Sequence, residues 1–227
     1  MSLRAILFDA GNTLLFLDYE RLAARVSAEL KVSLSAAELA RHGSAAARSL
    51  ENAKGTDRER GRAFLLLLFE LAGVPADRSS ELEQALYALH RERHLWSGVD
   101  RRTAEALRRL RDAGFRLGVV SNSDGRADEA IEAAGLREYF EFVMDSAEVG
   151  VEKPDPRIFM LALERLALTP AEAMYVGDLY EIDAVGARAA GLDVVLVDPA
   201  GEHAGRDVRT VRDVAEFAER LLADRAA

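Results

Sequence analysis

Cysteine is absent from this chain of 227 residues, which excludes disulfides, thiolate catalysis and zinc-thiolate sites. Lysine is nearly absent, with only Lys31, Lys54 and Lys153 among 30 basic residues. A composition that uses arginine wherever a solvated positive charge suffices marks Lys153 as a place where a compact point charge is wanted. A surface lysine ahead of a helix starting near Asp155 fits that segment equally well. Long apolar runs are missing too: Phe64–Phe69 falls far short of the ~20 residues of a membrane span. The apolar stretch near the N-terminus is too short for a secretory signal and is interrupted by Asp9, so the expected location is the cytoplasm, with no membrane partner. A basic surplus is also lacking. The formal net charge is −9, and Arg108, Arg109 and Arg111 are interspersed with acids as on a solvated helix face, which argues against a nucleic-acid partner. With 49% hydrophobic residues the chain can fill a full core, as one large domain or two small ones.

What is present is a set of apolar strands that stop at polar residues. Leu3 and Ala5–Phe8 read as a short buried strand ending in Asp9, at a turn containing Gly11. In an open parallel sheet the carboxyl ends of strands face the ligand crevice, so Asp9 is a candidate nucleophile or metal ligand. An aspartate that merely opens a turn and caps a helix would look the same. Leu117–Val120 runs into Ser121 and Asn122, a hydroxyl and an amide able to donate to an anionic oxygen and equally ordinary in turns. Lys153 is followed by Pro154 and Pro156. Ala173–Val176 meets Gly177 and Asp178, with Asp183 five residues further on. Glycine permits a sharp turn and close approach to a ligand, and two carboxylates across one helical opening offer hard oxygens to a divalent cation.

The order of these four segments resembles the haloacid dehalogenase-like hydrolase superfamily. That family has a first motif D-x-D-G-T, a second strand ending in Ser or Thr, a lysine, and an acidic pair such as G-D-x-x-x-x-D. Asp9 with Thr13, Ser121 with Asn122, Lys153, and Gly177-Asp178 with Asp183 match, and the resemblance spans nearly the whole chain. It implies that Asp9 forms an aspartyl phosphate and that Thr13, Ser121, Asn122 and Lys153 bind the phosphoryl group, with Lys153 neutralising its charge. It also implies that Asp9, the Gly11 carbonyl, Asp178 and Asp183 hold Mg²⁺. Two positions depart from the pattern. Gly11 stands where phosphatases of the family carry the aspartate that protonates the leaving group, a loss of roughly 10² to 10⁴ in rate for a general acid. Asn12 replaces a glycine, which a turn tolerates because Asn enters the left-handed region readily.

Between the first and second motifs, periodicity predicts helices at Asp18–Leu30, Ser35–Asn52, Asp57–Ala72 and Ser79–His94, with no convincing strand. The breaks fall at Lys31–Leu34, Lys54–Thr56 and Gly73–Pro75. Beyond Asp100, helices at Arg101–Ala113, Ala127–Ala134, Pro156–Leu166, Ile182–Ala190 and Val211–Ala223 alternate with strands at Arg116–Val120, Phe142–Met144, Ala173–Val176 and Asp193–Val197. The expected fold is therefore α/β, a Rossmann-like parallel sheet with helices on both faces. Residues 1–15 and 98–227 form this core, and residues 16–97 form an inserted helical cap of the kind the resemblance implies. Phe64–Phe69 is apolar around its whole circumference and should be buried. Arg41, His42 and Arg48 are candidate cap contacts to an anionic substrate, although solvent-facing helix positions explain them as well. Lys54 sits where a phosphonate-cleaving relative would place a Schiff-base lysine or where a loop simply exposes one.

The resulting expectation is a Mg²⁺-dependent phosphatase acting on a small phosphorylated metabolite. Gly11 keeps open a non-catalytic protein that binds a phosphometabolite or a partner. A dehalogenase or phosphonatase-like carbon-centre hydrolase is the remaining reading, disfavoured for a dehalogenase because it has no use for Asp178 and Asp183 as a cation site.

Overall fold

Four consecutive residues with no exposed surface, Ala5, Ile6, Leu7 and Phe8, make the first strand, and the α/β part of the chain is built outward from it. The computed structural model describes residues 2–50 and 55–226. After β1 (Ala5–Phe8), β2 (Phe16–Leu17) leads into α1 (Tyr19–Leu30), α2 (Ala36–Leu50), α3 (Asp57–Leu71) and α4 (Ser79–Glu92), and β3 (Trp96–Gly98) returns as the partner of β2. Helices and strands then alternate: α5 (Thr103–Asp112), β4 (Arg116–Ser121), α6 (Ala127–Ala133), β5 (Phe142–Asp145), the single turn α7 (Ser146–Val149), α8 (Pro156–Leu166), β6 (Ala173–Gly177), α9 (Val185–Ala189), β7 (Asp193–Val197), β8 (Arg209–Val211) and α10 (Val214–Ala226). The chain divides into two compact units, Met1–Phe16 with Gly98–Ala227, and Leu17–Ser97.

In the α/β unit six strands lie in the order β5-β4-β1-β6-β7-β8, all pairs parallel. The chain starts at the centre, builds β4 and β5 to one side, then crosses back to add β6, β7 and β8 on the other. That reversal beside β1 is where an open parallel sheet leaves a crevice at its carboxyl edge. Side chains alternate across the sheet, as the period of a strand requires. Leu7 belongs to a buried cluster with Ile158, Phe159 and Leu163 of α8 and Ala187 of α9, whereas Phe8 meets Phe217 of α10 edge-on at 6.0 Å. Helices therefore cover both faces, giving the expected Rossmann-like α/β architecture.

The helical unit has a core of its own, with Leu22, Val26 and Leu30 of α1 packed with Leu68, Phe69, Leu82, Leu86 and Leu89. Asp18 caps α1 by accepting from the Arg21 amide, and Thr56 with Glu59 forms a reciprocal capping box at α3. The Arg21 guanidinium gathers the carbonyls of Leu89, Arg93 and His94, fixing the end of α4. The run Phe64–Phe69 corrects the expectation of full burial. Only Leu68 and Phe69 are buried, and Phe64–Leu67 stay partly exposed, because a helix in a small bundle has one inward face whatever its composition. Lys54, Asn52 and the Arg48 side chain lie outside the described residues. Among the described residues no helix is long and apolar enough to cross a membrane.

Several elements differ from what periodicity predicts. β2, β3 and β8 were not expected, being two or three residues long and too short for alternation to register. β8 takes the start of the expected last helix, which begins at Val214 instead of Val211. The expected helix Ile182–Ala190 opens as a π turn over Tyr180–Ala184 before α9, because the Asp183 carboxylate folds back onto the chain ahead of it.

Gly186 lets α9 pass directly against the segment carrying Lys153. A Cβ there would lie 2.8 Å from both Cα and O of Pro154. Backbone cannot yield as a side-chain tip can, so Gly186→Ala is expected to destabilise the protein by about 1–3 kcal/mol. Urea unfolding measures this, and an unchanged midpoint would show that the contact is loose.

Candidate active site

The carboxyl ends of β1, β4 and β6 converge on one point. Phe8 is in register with Val119 of β4 and Val176 of β6, so the residues beyond them, Asp9, Ser121 and the Gly177–Asp178 pair, share an edge. The ladder continues one step further, with the Asp9 amide donating to the Val176 carbonyl at 2.8 Å. The chain then folds tightly: the amides of Leu14 and Leu15 both donate to the Ala10 carbonyl, and Asn12 adopts the left-handed conformation at φ 53°. From there the Asn12 side-chain amide donates to Asp178 Oδ2 at 3.2 Å. Thr13 is buried, and its hydroxyl has no hydrogen-bond partner among the described residues.

Lys153 is 2% exposed and uses all three ammonium protons: on Asp9 Oδ1 at 2.5 Å, Asp183 Oδ1 at 2.7 Å and the Tyr175 hydroxyl at 2.8 Å. Burial works to lower the Lys153 pKa, but the carboxylates of Asp183 and Asp9 outweigh it and hold the group above its ordinary value. Asn122 braces this lysine from behind. Its Nδ2 donates to the Lys153 carbonyl at 3.0 Å and its Oδ1 accepts from the Lys153 amide at 2.8 Å. The side chain expected to touch substrate thus pairs through both its oxygen and its nitrogen with the Lys153 main chain. Ser121, 3% exposed, makes a long bond from its hydroxyl to the Asn122 carbonyl at 3.3 Å.

Asp183 holds the other side. Its Oδ2 accepts from the amides of Asp178 at 3.0 Å and Leu179 at 2.9 Å, while Oδ1 meets Lys153. Gly177 makes this possible, since a Cβ at that position would sit 2.5 Å from the Asp183 carboxyl carbon. Asp9, Asp178 and Asp183 each offer an oxygen, and these atoms lie within 4.8 Å of one another. Burial raises the Asp9 pKa to about 7, with Lys153 opposing and Asp183 adding to the shift. Asp178, partly exposed, is also pushed well up, first by desolvation and then by Asp183 and Asp9. Three carboxylates facing one ammonium leave an excess of negative charge, and all the donors are hard oxygens. Together with the unpartnered Thr13 hydroxyl, this set fits a divalent cation of the Mg²⁺ class and an oxyanion beside it.

Two buried groups escaped the sequence reading. Tyr175 reaches from β6 past β1 to donate to the Val120 carbonyl of β4 at 3.0 Å while accepting from Lys153, and the only signal was a phenol in an otherwise aliphatic strand. Asp145, 2% exposed at the end of β5, accepts from the amides of Gly125 and Ala127 at 3.0 Å and Ala147 at 2.9 Å. It ties down the loop that leaves Ser121, and it could have been found as Asp9 was, as a carboxylate ending an apolar strand. Arg41 and His42 lie on α2 of the helical unit, exposed and partly buried respectively.

A family model described as haloacid dehalogenase-like hydrolase matches residues 3–191. The chain is 40% identical over 144 residues to haloacid dehalogenase-like hydrolase domain-containing protein 3 of Mus musculus, covering 63% of this chain and 57% of that protein. It spans only 51% to 57% of the mouse, bovine and human forms of that relative. Glyceraldehyde 3-phosphate phosphatase of Methanopyrus kandleri is 32% identical over 223 residues, 95% of this chain and 92% of that protein. Among solved structures, a HAD-hydrolase of Bacillus subtilis, YfnB, bound to magnesium, superposes with a TM-score of 0.73 at 21% identity, covering 97% of this chain and 99% of that one.

The buried charges predict two outcomes. Tyr175→Phe leaves a Lys153 proton and the Val120 carbonyl unpaired in the interior and should cost about 1–3 kcal/mol in urea unfolding; no loss would mean that the hydroxyl is dispensable. The second concerns pH with divalent cations chelated. Asp9 titrates near 7 when folded against an ordinary 3.8, so in the interval the folded protein holds a proton the unfolded chain has released. Stability must then fall as pH rises from about 5 to about 7, with Asp178 pulling the same way, and Asp9→Asn should flatten the slope. Glu172 and Glu216, held down at about 2, act below that window. Unfolding midpoints that climb across it in EDTA would contradict the reading.

Proposed function

This chain belongs to the haloacid dehalogenase-like hydrolases, and from that premise we propose that it is a Mg²⁺-dependent phosphatase of small phosphorylated metabolites with Asp9 as nucleophile. The observation that carries the reading is the placement of Asp9. It stands at the carboxyl end of the central strand, on the Lys153 ammonium at 2.5 Å, with Asp178 and Asp183 within 4.8 Å. The relative from Methanopyrus kandleri, a phosphatase aligned over 95% of this chain, supports the same class.

In this reading an Asp9 oxygen attacks phosphorus in line, the bond to the leaving oxygen breaks, and water later cleaves the aspartyl phosphate to release phosphate and free Asp9. Lys153 orients Asp9 and favours its charged form against the effect of burial, and its charge would face the equatorial phosphoryl oxygens. The Thr13 and Ser121 hydroxyls donate to the same oxygens, with Asn122 holding Lys153 in register. Mg²⁺, held by Asp9, Asp178 and the Gly11 carbonyl with Asp183 behind them, would neutralise charge between nucleophile and phosphate. Asp183, both oxygens engaged by donors, acts through Lys153 and the Asp178–Leu179 backbone. The helical unit, inserted directly after the Asp9 loop, is read as the cap that sets substrate choice, and the cytoplasm as its place of action.

Gly11 bears on the leaving group. Without a carboxylic acid two residues after the nucleophile, departure of a basic alkoxide goes unassisted from this position, so acyl and aryl phosphates should be better substrates than sugar phosphates. The same glycine favours the second reading, a phosphometabolite binder without turnover.

Phosphate release measured across aryl, acyl and alkyl phosphates separates the two. Release should require Mg²⁺ and stop in excess EDTA; release that persists there defeats the cation assignment, and none on any substrate favours the binder. Rate should depend steeply on leaving-group pKa, and Gly11→Asp should flatten that dependence with a gain on alkyl phosphates approaching roughly 10²-fold. A folded Gly11→Asp protein with an unchanged slope would show that another group already supplies the proton.

A further inference from the structure

The loop between β7 and β8 reaches back over the turn that carries Asp178. Asp198, just past β7, accepts from the amides of Glu202 and His203, both at 2.8 Å, and this closes the loop so that the His203 ring is directed inward, 9% exposed. His203 Nε2 lies 2.9 Å from the Asp178 carbonyl oxygen. A carbonyl oxygen only accepts, so Nε2 carries the proton and donates. Three residues on, the Arg206 guanidinium stacks over the Tyr180 ring at 4.3 Å and donates to Glu181 at 3.0 Å. One loop thus holds Asp178, Tyr180 and Glu181.

We propose that His203 is a positioning residue for cation binding, setting the Asp178 carboxylate through its main chain. The inference rests on the reading of Asp178 as a cation ligand. Every polar group of that residue is tied by a different part of the chain: its amide by Asp183 Oδ2 at 3.0 Å, its carboxylate by Asn12 at 3.2 Å and its carbonyl by His203. Asp9, by contrast, is fixed by the sheet ladder and by Lys153, neither of which involves the 198–206 loop. Loss of the imidazole should therefore loosen Asp178 and leave Asp9 in place. A charged ligand needs such restraint because a carboxylate free to rotate loses order each time it binds an ion.

Calorimetric titration of the metal-free protein with MgCl₂ tests this without reference to activity. His203→Ala should raise the Mg²⁺ dissociation constant roughly five- to tenfold, the scale of one lost hydrogen bond to the main chain, and Asp178→Asn should raise it further. His203→Gln, whose amide nitrogen reaches about as far as Nε2, should return the constant to within about twofold of wild type. If His203→Ala binds Mg²⁺ as wild type does while Asp178→Asn is weakened, the positioning role is overturned and the cation site stands. Should Asp178→Asn also bind unchanged, the cation reading falls, and the role of His203 with it.

Discussion

A buried ammonium between two carboxylates is the interaction on which this structure depends. Burial disfavours the charge on Lys153, and the carboxylates of Asp183 and Asp9, at 2.7 and 2.5 Å, are what hold it there. Breaking such a set by removing one partner strands the others, so the chain around it is constrained over a wide span of sequence. Asn122 grips the Lys153 main chain from 31 residues away, and Tyr175 reaches across from β6 to take the third proton. Gly177 and Gly186 are each required because a methyl group would collide with Asp183 in one case and with the Pro154 backbone in the other. The parallel sheet supplies the frame, since only its carboxyl edge brings Asp9, Ser121 and Gly177 into adjacent positions.

That arrangement also governs the charge balance of the site. One ammonium does not balance three carboxylates, and desolvation holds Asp9 and Asp178 above their ordinary pKa values. On the proposed reading a divalent cation would remove the imbalance, beside the hydroxyls of Thr13 and Ser121. Gly11 does not disturb this electrostatic design. Asp9, Lys153 and Asp183 keep their contacts beside it, so on the proposed reading its effect falls on the leaving group.

Most of the core was legible in the sequence because its physical signals are local. β1, β4, β6 and β7 are apolar runs of four to six residues, and each ends at a turn or at a polar residue; the register of the parallel ladder then brings Asp9, Ser121 and Asp178 to one edge. The rest depended on distance. Nothing in the segment around Asn122 announces that its amide will pair with Lys153, nor does the strand around Tyr175 show that its hydroxyl will serve that lysine. β8 was missed because three residues, Arg209, Thr210 and Val211, carry no period. The leucine run of α3 misled for the opposite reason: its composition is uniform, whereas burial in a bundle is decided by which side meets the neighbouring helices.

The measurement that bears most directly on Asp9 as nucleophile is chemical capture of the phosphorylated protein. The wild-type chain, incubated with Mg²⁺ and an acyl phosphate and quenched in acid, should yield a single phosphorylated peptide containing Asp9, sensitive to hydroxylamine as an acyl phosphate is. The label should vanish in Asp9→Asn while the folded state remains. Phosphate release with label on another residue, or undiminished release by Asp9→Asn, would contradict the account.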